Sequence, residues 1–146
     1  MKIVIALGIT LLLIFGFYNF KNEKELTNPN GIQFTERSWK EAIKEAKKQN
    51  KLIFLDIYAT WCGPCQRMKK TTFNNEKVGA YFNTNFVNIA IDGETLEGQK
   101  LIKKYGVRGY PSLLFVNTDE SLKAIKTGFH NTDRLLRYGK QSFRAQ

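Results

Sequence analysis

The feature that most constrains this chain is the pentapeptide Trp61-Cys62-Gly63-Pro64-Cys65, which stands just after the apolar run Leu52-Ile53-Phe54-Leu55-Asp56-Ile57-Tyr58-Ala59. A run that apolar is too hydrophobic for a sheet edge and reads as a central strand covered on both faces. Pro64 belongs in the first turn of a helix, where its missing N–H loses no partner. The cysteines therefore fall at a strand-to-helix junction. They are the only two among 146 residues, too few for a disulfide scaffold. A Cys-x-x-Cys pair at such a junction is the working part of a dithiol/disulfide exchanger.

The chemistry needs each sulfur where it stands. A free thiol with a pKa near ~8.5 is mostly protonated at neutral pH, but the unpaired N–H groups and positive dipole end of a helix N-terminus favour the thiolate. Cys62 is thereby the nucleophile. Cys65 lies one helical turn deeper and can attack the mixed disulfide that Cys62 forms, which releases the reduced substrate. A zinc site wants four ligands, and two cysteines with the single His130 cannot supply them. No metal is expected, and the redox-active Cys62/Cys65 pair needs no cofactor beside it. His130 reads as a surface or loop residue and Met68 as core packing.

Flanking patterns give the order of elements. Ser38-Trp39-Lys40-Glu41 forms a capping box ahead of a helix running to about Gln49, with Trp39, Ala42, Ile43 and Ala46 on its apolar face. After the cysteines a helix is predicted through Lys70, then a helical piece from Glu76 to Phe82. Phe86–Ile91 is the next strand, and Leu96–Tyr105 is a helix stopped by Gly106. Ser112–Val116 and Leu122–Lys126 flank a turn at residues 117–120 and read as a hairpin. Thr132-Asp133 opens a last helix carrying Leu135, Leu136 and Tyr138. Strands alternating with helices before a closing hairpin and helix describe an α/β class with a mixed sheet covered on both faces.

Ahead of this domain, residues 3–20 form an uncharged stretch of 18 residues. As a helix it would span roughly 27 Å, enough for a hydrocarbon core. A cleaved signal would end in small residues before the cut, whereas this segment closes on Phe15-Gly16-Phe17-Tyr18-Asn19-Phe20, aromatics that suit a membrane interface. The expected organisation is an N-terminal anchor or signal helix over 1–20, a linker over 21–33 and a domain over 34–146. The amino terminus and Lys2 outweigh the balanced Lys21, Glu23, Lys24 and Glu25, so the positive-inside rule exports the domain. It should face the periplasm or extracytoplasmic side, anchored in the inner membrane; secretion after cleavage is the alternative.

The net charge is +10, with 22 Lys and Arg against 13 Asp and Glu after the apolar stretch. These cations are scattered over several segments rather than gathered in a stripe, which argues against nucleic acid. A solvated surface drawn towards anionic lipid heads or acidic partners is the better reading.

Trp61-Cys62-Gly63-Pro64-Cys65, with Asp56 six residues before Cys62 and Gly106-Val107-Arg108-Gly109-Tyr110-Pro111-Ser112 downstream, resembles the thioredoxin family from about Ser38 to about Ser142. The resemblance implies the thioredoxin fold, in which Asp56 is a buried acid that takes up the proton of the deeper thiol through water. It implies a cis bond at Tyr110-Pro111, with the backbone of Tyr110 pairing to an extended substrate strand, and a Trp61 that shields the site. In one respect the chain departs from the pattern. The lysine that accompanies the buried acid in typical thioredoxins corresponds to Asn88, so Asp56 is expected to lack a cationic partner.

Gly63-Pro64 matches the reducing members, whereas oxidants and isomerases of this fold commonly carry a His between the cysteines. The expectation is a membrane-tethered reductase of protein disulfides, similar to exported domains related to the C-terminal domain of DsbD-type interchange proteins and fed by a membrane electron donor of that type. An oxidase or isomerase, a cytochrome c maturation thioredoxin and a non-enzymatic binding module of the same fold are the alternatives.

Overall fold

Alternation along the central strand assigns each of its side chains to one of two cores. In β1 (Leu52–Tyr58) the side chains of Leu52 and Phe54 enter one cluster, with Met68, Phe73, Val78, Phe82, Phe115 and Tyr138. Ile53, Leu55 and Ile57 enter the other, with Trp39, Ala42, Ile43 and Leu101. A period of two with both faces apolar is the pattern of a strand inside a two-sided sheet. The computed structural model describes residues 29–35 and 37–144. The predicted N-terminal span and the first part of the predicted linker lie outside the described residues. Among the described residues no helix is long and apolar enough to cross a membrane.

The elements follow as α1 (Trp39–Gln49), β1, α2 (Gly63–Lys70), α3 (Glu76–Asn85), β2 (Phe86–Asp92), α4 (Leu96–Tyr105), β3 (Ser112–Val116), β4 (Leu122–Thr127) and α5 (Thr132–Arg144). The sheet order is β2-β1-β3-β4. β1 and β2 are parallel, while β3 runs antiparallel to both β1 and β4. This is a thioredoxin fold, a mixed four-stranded sheet with helices on both faces.

Local signals place the helix ends. Glu41 N–H donates to Ser38 Oγ at 3.4 Å while Ser38 N–H donates to Glu41 Oε2 at 2.9 Å, which is the predicted capping box. Gly106 ends α4 in the left-handed region at φ 65°, where a side chain would be disfavoured. α3 continues three residues past the predicted end at Phe82. Nothing there breaks a helix, and Thr84 Oγ1 and Asn85 Nδ2 donate back to the Ala80 and Tyr81 carbonyls at 2.8 and 2.7 Å.

A strap of residues 29–35 runs along the outer edge of β2. Ile32 is buried and its N–H donates to the Phe73 carbonyl at 2.8 Å. Asn83 clamps the strap from both sides, its Oδ1 accepting from Gln33 N–H at 2.9 Å and its Nδ2 donating to the Gly31 carbonyl at 3.0 Å. Thr35 then forms a parallel bridge to Ile89. The strap passes so near α3 that a Cβ on Gly79 would lie 2.5 Å from the Gly31 carbonyl carbon, and nearer still to the Asn30 oxygen.

Candidate active site

The strand β1 ends at Tyr58, and four residues later Cys62 becomes the N-cap of α2. Its backbone is extended, at φ −77° and ψ 108°, and its sulfur accepts the Cys65 N–H at 3.2 Å. The helix thus offers one of its unpaired donors to the Cys62 sulfur. No acidic residue lies in the first turn to compete for those donors, while Arg67, Lys69 and Lys70 occupy the last. Gly63 and Pro64 form the first turn. Gln66 Nε2 donates to the Thr60 carbonyl at 2.7 Å and ties the turn to the helix. Cys62 and Cys65 are joined in a disulfide, with Cα atoms 5.3 Å apart. Both are buried, and they pack with Ala59, Tyr58 and Tyr110.

Tyr110-Pro111 is a cis peptide. The Pro111 carbonyl accepts the Gly128 N–H at 2.8 Å, which fixes the start of β3 against the end of β4. The Tyr110 ring meets Trp61 edge-on at 5.7 Å. Its hydroxyl donates to Glu94 Oε1 at 2.9 Å. Burial, and then the Glu94 carboxylate, push this phenol up to about 12, so it stays a donor throughout the physiological range. Trp61 is 69% exposed and stands beside the cysteines as a solvent-facing wall.

Asp56 shares the face of Leu52 and Phe54, the face that also receives Met68 of α2. It is 4% exposed, and its Oδ1 accepts no hydrogen bond among the described residues. Burial alone raises its pKa from the ordinary 3.8 to about 7. Asn88 lies on the same face in β2, in register with Phe54, while Ala90 is in register with Asp56. Its Nδ2 donates to Asn83 Oδ1 at 3.1 Å. At the position where a lysine would stand, this chain places an amide bonded to Asn83, the residue that clamps the strap. Among the described residues nothing cationic offsets the burial of Asp56.

The sequence profile of the family described as Thioredoxin-like matches residues 34–118. The chain belongs to the thioredoxin-like family. Among curated relatives, the thiol:disulfide interchange protein DsbD of Yersinia pestis (strain Pestoides F) is 33% identical over 96 residues, 64% of this chain and 16% of that protein. DsbD of Neisseria meningitidis (serogroup A) is 33% identical over 106 residues, 70% of this chain and 18% of that protein. The chain therefore spans less than a fifth of these relatives. Among solved structures, a candidate disulphide-isomerase from Bacteroides thetaiotaomicron is 42% identical, with a TM-score of 0.71 over 80% of this chain and 96% of that one. The oxidised C-terminal domain of Neisseria meningitidis DsbD is 30% identical, with a TM-score of 0.62 over 76% and 98%. Family membership and these relatives support thiol–disulfide oxidoreductase activity.

Within this thioredoxin-like site the structure brings Cys62, Cys65, Tyr110 and Trp61 together at one end of the sheet. Gly93 and Glu94 join them unannounced by any motif. Glu94 reaches Tyr110 across 16 residues of sequence, and the latch depends on a side-chain direction that no spacing encodes. The one available signal was Gly93 itself, a glycine directly after the last residue of β2.

Proposed function

We propose that the chain is a thiol–disulfide oxidoreductase that reduces protein disulfides on the extracytoplasmic side of the inner membrane. The observation that carries this reading is the Cys62 sulfur at the N-cap of α2, with the Cys65 N–H directed at it and Cys65 one turn behind. The reduced Cys62 thiolate attacks one sulfur of a substrate disulfide; the S–S bond breaks, and the leaving sulfur departs as a thiolate that takes a proton from water. A Cys62–substrate disulfide has formed. Cys65 gives up its proton through water to Asp56 and attacks Cys62 Sγ, which expels the second substrate thiolate and leaves Cys62 and Cys65 joined. Two electrons have passed from the cysteine pair to the substrate. The backbone of Tyr110 beside the cis bond is the edge to which an extended substrate strand pairs.

Regeneration requires a dithiol donor. The apolar segment 3–20 anchors the chain, and a membrane protein of the DsbD type supplies the electrons, with the tether raising the local concentration of both. Support for this direction comes from Gly63-Pro64 between the cysteines and from the likeness to the DsbD C-terminal domain. A second reading, isomerisation, is favoured by the 42% identical candidate disulphide-isomerase.

Substitution tests the reading. Cys65→Ser should accumulate mixed disulfides through Cys62, whereas Cys62→Ser should trap almost nothing; equal trapping by both would overturn the assigned roles. Redox equilibration of the wild type separates the two directions. A potential near about −270 mV, the thioredoxin value, supports the reductase, and one near about −180 mV supports the isomerase.

A further inference from the structure

We propose that the groove between β4 and α5 is a docking site for an acidic segment of a partner protein. The groove has a volume of about 360 Å³ and is lined by Lys126, His130, Arg134, Arg137, Tyr138 and Gln141. Three of these are fixed cations and none is a carboxylate. Among the described residues the ion pairs are Arg37 with Glu45 and Lys104 with Glu120, so no carboxylate pairs with the three cations here. Against these three cations the start of α5 sets the single carboxylate of Asp133, so a net positive charge remains and an incoming anion relieves the repulsion within it.

The floor is built rather than accidental. Tyr138 is buried, its hydroxyl donates to the Leu113 carbonyl at 3.2 Å, and Lys126 Nζ lies 5.4 Å above its ring. His130 is held by three bonds, its backbone N–H donating to Met68 Sδ at 3.4 Å, its carbonyl accepting from Thr72 Oγ1 at 2.8 Å and its Nδ1 meeting the Gly128 carbonyl at 2.9 Å. Its Nε2 is the ring nitrogen left for a ligand.

The spacing selects the occupant. Arg134, Arg137 and Gln141 follow one another at three and four residues along α5, which spreads the donors over roughly 10 Å. A single phosphate cannot span that length, but three or four residues of an extended acidic chain can. The strand that forms one of its walls ends beside the cis proline. Thr127 of β4 is in register with Ser112, and Gly128 N–H bonds to the Pro111 carbonyl. A partner engaged at Cys62 can therefore lay a neighbouring acidic stretch along α5. That the partner is one exchanging disulfides with Cys62 rests on the function proposed above.

The test is fluorescence anisotropy on the full chain in neutral detergent micelles at low salt, with a fluorescein-labelled peptide of alternating aspartate and glutamate. Arg134→Gln with Arg137→Gln should weaken binding about tenfold. The control pair Lys44→Gln with Lys48→Gln on α1, of the same net charge, should change it less than twofold. Equal losses in both pairs, or no binding of the peptide, would overturn the proposal. So would displacement of the peptide by equimolar inorganic phosphate, which makes the site one for a small anion, or by equimolar phosphatidylglycerol, which makes it one for lipid. In a parallel assay, a mixed-disulfide substrate flanked by acidic residues should lose about tenfold in kcat/KM with the double arginine variant, and its asparagine and glutamine analogue should lose nothing. If neither substrate is reduced, the thiol–disulfide reading fails while the anisotropy result still decides the groove.

Discussion

Tyr110 lies directly over Gly93, so closely that a Cβ at that glycine would fall 2.6 Å from Cε1 and 2.7 Å from Cζ of the tyrosine ring. Real contacts of that kind are not tolerated, so the ring must move if Gly93 acquires a side chain. Gly93→Ala should therefore swing the Tyr110 ring aside and break the Tyr110–Glu94 bond. KM for a peptide disulfide should rise several-fold in steady-state kinetics. Tyr110→Phe keeps the ring and loses the hydroxyl, and should have the smaller effect. Equal kinetics for Gly93→Ala and the wild type would show that the ring position does not matter.

Asp56 should leave its mark on the pH dependence of stability. Its folded pKa, about 7, lies above the ordinary 3.8. A raised acid costs stability once it would be ionised in the unfolded chain; the cost begins above about pH 4, grows through the interval and levels off above about pH 7. Three pKa units correspond to about 4 kcal/mol as an upper bound. In denaturant unfolding of the disulfide form, the stability of Asp56→Ala relative to the wild type should climb between these limits, whatever constant offset its cavity adds. Turnover should slow in the same variant. A pH-independent difference would remove Asp56 from the list of titrating groups.

Gly79→Ala should lift the strap. The new Cβ would meet the backbone of Asn30 and Gly31 rather than a yielding side chain, so residues 30–32 must shift and Ile32 loses its burial. Overpacking of this kind costs about 1–3 kcal/mol. Hydrogen exchange should quicken at the Ile32 and Thr35 amides while the amides of β1 keep their relative protection. Unchanged exchange at Ile32 would show that the strap accommodates the methyl group.

The anchor makes its own prediction. If residues 3–20 remain as a span, the mature chain keeps its N-terminus, resists carbonate extraction and yields its domain to protease from the outer face alone. Cys62 and Cys65 should be mostly reduced in cells and become oxidised when the membrane donor is removed. A soluble, shortened chain would show instead a cleaved signal.

Much of the fold was legible because its signals are local. The Ser38 and Glu41 box, the apolar run of β1, Gly106 after α4 and Pro64 in the first turn of α2 each act within a few residues. The placing of the candidate site was legible for the same reason, since Cys62 and Cys65 stand within a single helical turn. Other features arise from tertiary contacts. Asn83 clamps Gly31 and Gln33 from 50 or more residues away, and a pair of asparagines carries no sign of such a role. Lys126, Arg134 and Arg137 read as scattered cations until β4 is laid beside α5. The absence of a lysine near Asp56 was visible by position, but the bond of Asn88 to Asn83 was not.

The bridge between Thr35 and Ile89 also decides how the sheet can grow. An exposed strand edge is a template for pairing with another chain, and aggregation starts there. Along β2 that template is already occupied at mid-strand by the chain's own strap. The opposite edge, β4, carries Lys123 and Lys126, and lysines on an edge strand disfavour pairing with another chain. Self-assembly through strands is thereby blocked on one side by occupancy and opposed on the other by charge. Under the function proposed above, the domain could offer backbone to an extended substrate without polymerising on itself.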